Sequence, residues 1–171
     1  AGNDDLAKYS RGILEGTGRM VEIIDGMLDV TRIDSNLLEV SYSEVELDLL
    51  IEKVRKVFKD AFEERNLHFH TEGLADIPLM QADKDLLYKV FYQVIGNAIK
   101  YTPDGKDITV SARLITEEPA NQVEVAVKDS GIGIDPQHHE LVFEKFFQTG
   151  EVLLHSSGKT KFKGGGPGLG L

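Results

Sequence analysis

The first 38 residues contain no proline, and they place apolar side chains where one long helix gathers them on a single side. Ile13, Thr17, Met20, Ile24, Met27 and Thr31 follow one another at alternating steps of four and three. That is a seam with a period of about 3.5 residues. Leu14, Val21 and Leu28 form a second stripe beside it. A face this wide is built to be covered by another helix, as in a bundle. Nothing else in the first third of the chain can cover it, so a second chain or sequence outside this one is expected to do so. The alternative is a helix packed on its own domain.

After Asp34-Ser35-Asn36 the pattern changes. Val40 to Leu47 reads as a strand, and Asp48 to Arg65 as a helix burying Leu50, Val54, Val57, Phe58 and Ala61. Leu67 to Thr71 alternates as a short strand. Asp83 caps a helix that runs to Tyr101, where Thr102-Pro103-Asp104-Gly105 stops it. Two strands follow, one with Ile108, Val110, Ala112 and Leu114 on a face, the other with Val123, Val125 and Val127. Asp135-Pro136 is a helix start, and the stretch from Thr149 to Gly170 reads as a loop. The pattern predicts an α+β fold, a two-layer sandwich with helices over one face of a sheet, preceded by the long helix. The expected division is residues 1–38 and residues 39–171.

Charge narrows the function. The chain has 29 acidic and 19 basic residues, a net charge of −10. Such a surface disfavours sequence-independent nucleic-acid binding and direct contact with an anionic membrane. Cysteine is absent, which removes disulfides and cysteine-ligated zinc. No apolar run reaches the ~20 residues of a membrane span. A cytoplasmic location is expected, whether or not a parent protein is anchored in a membrane.

The helix ending at Tyr101 carries the first candidate chemistry. Gln93, Asn97, Lys100 and Tyr101 share a face beside its buried stripe of Leu87, Phe91, Val94, Ile95 and Ala98. An amide oxygen there can ligate Mg²⁺, an ammonium can meet phosphate, and a ring can cover a base. Taken alone, the face reads more simply as solvated. Asp129 continues the parity of the three valines, so its carboxylate is expected on the side they bury, where it needs a donor. Ser130-Gly131-Ile132-Gly133 follows at once, a turn that allows close backbone approach by a ligand. An acid at that turn can accept from an exocyclic amine, or simply cap its own turn. The run from Gly164 to Leu171 offers unhindered backbone N–H groups suited to phosphate oxygens, or serves as a linker. Two motifs fail. Ser157-Gly158-Lys159-Thr160 has Leu153 where a P-loop needs glycine, and Pro136 stands where a dinucleotide-binding fingerprint needs its third glycine.

Four segments together carry a resemblance. Gln93-Val94-Ile95-Gly96-Asn97-Ala98-Ile99-Lys100-Tyr101-Thr102-Pro103 resembles the asparagine box of sensor histidine kinases, and Asp129-Ser130-Gly131-Ile132-Gly133-Ile134 their first glycine box. Phe143-Glu144-Lys145-Phe146-Phe147-Gln148 resembles their phenylalanine box, and Gly166-Pro167-Gly168-Leu169-Gly170-Leu171 their second glycine box. All four stand in the family's order. The end of the first helix, Leu28-Asp29-Val30-Thr31-Arg32-Ile33-Asp34, resembles the second helix of the family's dimerization hairpin.

The resemblance implies the Bergerat ATP-binding fold, shared with gyrase, Hsp90 and MutL, and it implies ATP and Mg²⁺ as ligands. It gives Asn97, with Gln93, to the metal and Lys100 to phosphate. Tyr101 lies near the adenine, Asp129 accepts its amino group, and Gly131 and Gly133 shape the pocket. Gly166, Gly168 and Gly170 present N–H groups to the phosphates, with Leu169 anchoring that loop. Phe143 and Phe146 hinge a lid spanning Thr149 to Lys163. Where the family often has arginine this chain has Gln148, which passes phosphate contacts to Lys145 or to the lid lysines. Gln93 stands where the ATPase relatives have a glutamate that activates water, and an amide cannot take that proton. Protein histidine kinase activity is therefore expected over hydrolysis, with a homodimer formed through the first helix and a response regulator receiver domain as partner. The five histidines, His68, His70, His138, His139 and His155, all lie outside the first helix. The acceptor histidine and its acidic base are thus expected upstream, and the family's closing helix and strands downstream. A nucleotide-gated interaction module and a Bergerat ATPase are the alternatives.

Overall fold

The computed structural model describes residues 2–116, 122–145, 147, 160 and 162. The chain divides into two compact units, Ala1–Glu39 and Val40–Leu171. The first is helix α1, Gly2–Asp34, which spans 33 residues. It ends where Asn36 turns into the left-handed region at φ 53° and the Leu37 N–H returns to the Arg32 carbonyl at 2.8 Å. Along the seam, the Thr17 and Thr31 hydroxyls donate to the Ile13 and Met27 carbonyls, each at 2.8 Å. Both threonines are thereby satisfied within the helix and can sit in an otherwise apolar face. Ile13, Met20 and Ile24 are all exposed.

The second unit begins with β1, Ser43–Val45, then α2, Leu47–Val57, and α3, Lys59–Glu64. The strand expected over Val40 to Leu47 shrinks to three residues. Only these pair with β3, Met80–Ala82, a strand the sequence pattern did not mark. The single helix expected over Asp48 to Arg65 breaks at Phe58, whose backbone leaves helical geometry at φ −96°, ψ 10°. Packing explains the break. The Phe58 ring lies nearly flat over Tyr92, centroids 4.9 Å apart, and Gly96 leaves room for it. Val57, expected in the core, is exposed, and Ile51 is buried instead.

The main sheet holds β2, His68–Glu72, β4, Asp107–Ile115, and β5, Gln122–Asp129, in the order β2-β4-β5. β2 runs parallel to β4, with His68 opposite Asp107; β5 runs antiparallel, with Ile108 opposite Asp129. Ile108 and Val110 are fully buried and share one core with Val54, Ile95 and Ile99 from the helices. Val123, Val125 and Val127 pack on it from β5. The expected α+β two-layer sandwich is present. Gly73, after β2, adopts φ 67°, and a Cβ there would fall on the Ala112 carbonyl oxygen. Gly73→Ala is expected to lower stability by about 2 kcal/mol or more, since left-handed strain and a backbone clash add. A denaturant midpoint equal to the parent's would contradict this.

Helix α4, Lys84–Tyr101, carries most of the candidate site and starts where the sequence placed it. The Asp83 carboxylate accepts from the Asp85 and Leu86 N–H groups, both at 3.0 Å, and from the Ser41 N–H at 2.8 Å. The Leu86 and Ser41 bonds hold its pKa below the ordinary 3.8 of an aspartate. The folded state then binds this proton less readily than the unfolded chain. The cap's contribution is therefore present at neutral pH and is lost as pH falls below about 3.8. Asp83→Asn is expected to flatten the pH dependence of the melting midpoint in that range, and an unaltered profile would contradict the assignment.

Candidate functional site

Four residues reach the site from α4. Gln93 is exposed; Asn97, Lys100 and Tyr101 are half-buried on successive turns. The Lys100 ammonium lies 4.7 Å from the centroid of the Tyr101 ring, so a positive charge and a flat face stand side by side at the helix end. α4 stops at Thr102 as its sequence predicts. The hydroxyl of Thr102 is buried and has no hydrogen-bond partner among the described residues, a polar atom left for water or a ligand network.

The second component arrives from β5. The Ser130 N–H and hydroxyl both donate to the Asp107 carbonyl, at 3.1 and 2.8 Å, which fixes the strand end. The next residues then fold back onto α4. The Ile132 N–H donates to the Tyr101 carbonyl at 3.2 Å. A Cβ at Gly131 would lie 2.6 Å from that same oxygen and closer still to the Asp129 carboxylate, so only glycine fits. Gly133 is left-handed at φ 70° and faces open space. The structure thus joins the end of α4 to the Asp129–Gly133 turn, through the Tyr101 carbonyl at Gly131 and Ile132. That junction is not visible in the sequence as spacing.

Asp129 departs from expectation in one respect. It keeps the parity of the valines but is exposed, at the last position of β5. Its donor is the Gly131 N–H at 2.8 Å, so the carboxylate caps its own turn through one oxygen.

The chain after this turn differs from expectation too. Instead of a helix from Asp135-Pro136 there are two single 3₁₀ turns, Pro136–His138 and Leu141–Phe143. Asp135 caps the first turn as predicted, accepting from Gln137 N–H at 3.0 Å, but a three-residue turn does not propagate. Phe143 and Lys145 are exposed, and Phe147 packs against His138 with centroids 5.5 Å apart. Phe146, Gly166, Gly168, Leu169 and Gly170 lie outside the described residues, as does most of the expected lid.

Other candidates carry less. His70 Nε2 sits 3.0 Å from the Asp107 carboxylate, and no group of three or more metal-ligating side chains gathers among the described residues. Two surface concavities, of about 290 and 190 Å³, lie at Gly73–Arg113 and between α2 and β2. Neither includes any residue of the α4–β5 junction.

The sequence profile of the family described as histidine kinase-, DNA gyrase B-, and HSP90-like ATPase matches residues 82–171, which contain α4, β4, β5 and the whole junction. The chain belongs to this ATPase family. The Bergerat fold expected from the four boxes is the fold observed. Within the family its relatives are kinases. Hybrid signal transduction histidine kinase D of Dictyostelium discoideum is 30% identical over 97% of this chain and 10% of the relative. The adaptive-response sensory kinase SasA of Rippkaea orientalis is 31% identical over 75% of this chain and 32% of the relative. The chain therefore spans a tenth to a third of the length of these two relatives. Among solved structures, the catalytic domain of histidine kinase ThkA superimposes with a TM-score of 0.56 at 28% identity, over 64% of this chain and 72% of that one. ThkA has also been solved in complex with the response regulator protein TrrA.

Proposed function

We propose that this ATPase-family chain is the Mg²⁺-ATP-binding catalytic region of a sensor histidine kinase that transfers the γ-phosphoryl group to a histidine and from there to a response regulator. The observation that carries the reading is the junction of α4 with the Asp129–Gly133 turn, where the Tyr101 carbonyl accepts the Ile132 N–H and lies against Gly131. Asp129 accepts the adenine amino group through its second oxygen, and Tyr101 flanks the base. Gly131 and Gly133 let the nucleotide approach the backbone. Lys100 meets phosphate, joined by Lys145 and, outside the described residues, by the backbone N–H groups of Gly166, Gly168 and Gly170, with Leu169 anchoring that loop and Phe146 the lid. Asn97, with Gln93 one turn earlier, supplies amide oxygens to Mg²⁺.

The donor set fits such an ion. Mg²⁺ usually takes one or two protein oxygens and keeps water and phosphate for the rest, so no cluster of acidic side chains is required. When bound, the ion neutralises charge on the phosphates. The chain's own work is then positioning and electrostatic stabilisation, the usual requirement of phosphoryl transfer. Gln93 holds a polar group where general-base chemistry would need a carboxylate, and this favours transfer to a side chain over attack by water.

Helix α1 fits the second helix of a dimerization hairpin. Its seam is exposed and its threonines are internally satisfied, which supports residues 1–38 as the pairing element of a homodimer and residues 39–171 as the ATP-binding domain. The ThkA–TrrA complex supports a receiver domain as partner. No helix among the described residues is long and apolar enough to cross a membrane, in keeping with the proposed cytoplasmic site of action.

Titration with a non-hydrolysable ATP analogue, with and without Mg²⁺, tests the reading. Saturable binding is expected, strengthened by Mg²⁺, with the Mg²⁺ dependence largely lost in Asn97→Ala. A folded sample that binds no analogue would sink it. A second reading, a nucleotide-gated interaction module, is favoured by the lack of histidine in α1. Supplying a separate first-helix peptide bearing histidine, with labelled ATP, separates the two: label on the peptide supports the kinase, none supports the module. Steady phosphate release would instead mark an ATPase.

A further inference from the structure

Arg65, directly after α3, is the one charged residue buried among the described residues, at 9% exposure. A buried charge is tolerated only when paired and hydrogen-bonded, and its partners all gather at one place. Nε donates to the Asp104 carboxylate at 2.8 Å, Nη1 to the Ile99 carbonyl at 2.6 Å, and Nη2 to the Thr102 carbonyl at 2.5 Å. Nη1 also donates to the Thr160 carbonyl at 2.9 Å, and the guanidinium carbon lies 5.8 Å from the centroid of the Phe162 ring. The backbone of Arg65 is held as well, since its carbonyl accepts from the Gly105 N–H at 3.0 Å.

Ile99 and Thr102 bracket Lys100 and Tyr101. The carbonyls at a helix end lack intrahelical partners and carry the negative pole of its dipole, so a planar cation bridging two of them fixes the last turn in both position and rotation. No role in the nucleotide site falls to Arg65 from the family boxes. We propose that Arg65 is a positioning residue for that site, clamping the last turn of α4 so that Lys100 and Tyr101 face the Asp129–Gly133 turn, and holding the chain at Thr160 against the same point. This rests on the reading of the junction as the nucleotide site. Lysine can keep the charge but cannot span four acceptors with a rigid fork.

The test uses the full chain with Arg65→Lys, Arg65→Met and Asp104→Asn. Affinity for the ATP analogue is measured by calorimetry and corrected for the folded fraction read from circular dichroism. Per folded molecule, Arg65→Met is expected to bind about tenfold more weakly, as misplacement of binding groups demands. Arg65→Lys should fall between it and the parent, and Asp104→Asn, which leaves the three carbonyl bonds, should stay within about twofold of the parent. A purely structural arginine would lower the melting midpoint without moving the corrected affinity. Parent-like affinity in folded Arg65→Met overturns the inference; if that variant does not fold, parent-like affinity in Arg65→Lys does so. A parent chain that binds no analogue removes the reading of the site and the inference with it.

Discussion

Asp129→Asn is expected to weaken binding of adenine nucleotides about 10- to 100-fold while leaving the fold intact. The carboxylate has two oxygens and two tasks. One accepts the Gly131 N–H at 2.8 Å and shapes the turn; the other is proposed to accept the amino group of adenine. Asparagine has one oxygen. If that oxygen keeps the turn, the ligand's amino group meets an NH₂ group, donor against donor. If it turns to the ligand, the Gly131 N–H loses its acceptor. Either arrangement loses one charge-assisted bond, so the defect should be specific to bases with an exocyclic amine at that position. Titration of ATP and inosine triphosphate analogues reads this directly: the parent should favour the ATP analogue, and the variant should lose or reverse that preference, because its NH₂ group can donate to the carbonyl of inosine. Equal affinity of parent and variant for the ATP analogue would take Asp129 out of the site.

How much of this was legible beforehand depended on whether the deciding contact was local. Helix α4 was readable because its cap at Asp83, its buried stripe and its stop at Thr102-Pro103 are all written within its own residues. The β4 and β5 strands were readable from their period of two. The break at Phe58 was not, because it is decided by stacking on Tyr92, 34 positions later, and the same packing leaves Val57 outside. β3 escaped because three residues carry no period, and it exists through its pairing with Ser43–Val45. Asp135-Pro136 correctly marked a start, yet a start signal says nothing about how many turns follow.

The candidate site divides in the same way. The spacing from Gln93 to Tyr101 put four side chains on one face, and the structure keeps them there. Parity placed Asp129 on the core side, but parity cannot show that the last residue of the strand is left exposed. Arg65 was missed because its importance lies in acceptors at positions 99, 102, 104 and 160, which no window around residue 65 contains. The one sequence signal it left is a basic residue directly before the left-handed Asn66 and the strand that follows. Local chemistry thus marks the groups proposed to touch a ligand better than the groups proposed to hold them in place.

Gly131→Ala is the sharpest test of how the two halves of the site meet. The argument is steric: the added Cβ would sit 2.6 Å from the Tyr101 carbonyl oxygen, with the Asp129 carboxylate nearer still. The carboxylate is the end of a side chain and can swing aside, but the carbonyl is backbone and cannot yield cheaply. The Tyr101 carbonyl belongs to the last turn of α4 and accepts the Ile132 N–H, while Ser130 is pinned to Asp107 on the other side. Relief requires the turn to lift off α4, which breaks the Ile132 bond and moves Asp129 away from Tyr101 and Lys100. The expected cost is about 1–3 kcal/mol in stability, the usual range for overpacking, and roughly 100-fold or more in nucleotide affinity, because both proposed base contacts are displaced together. Gly133→Ala provides the contrast. Its φ of 70° makes alanine strained, but open space surrounds the added methyl, so only the backbone penalty of about 1 kcal/mol is expected. If close approach at residue 131 is what joins strand end to helix end, melting curves and analogue titration should rank Gly131→Ala well below Gly133→Ala. A folded Gly131→Ala chain with parent-like affinity would place the nucleotide away from this turn.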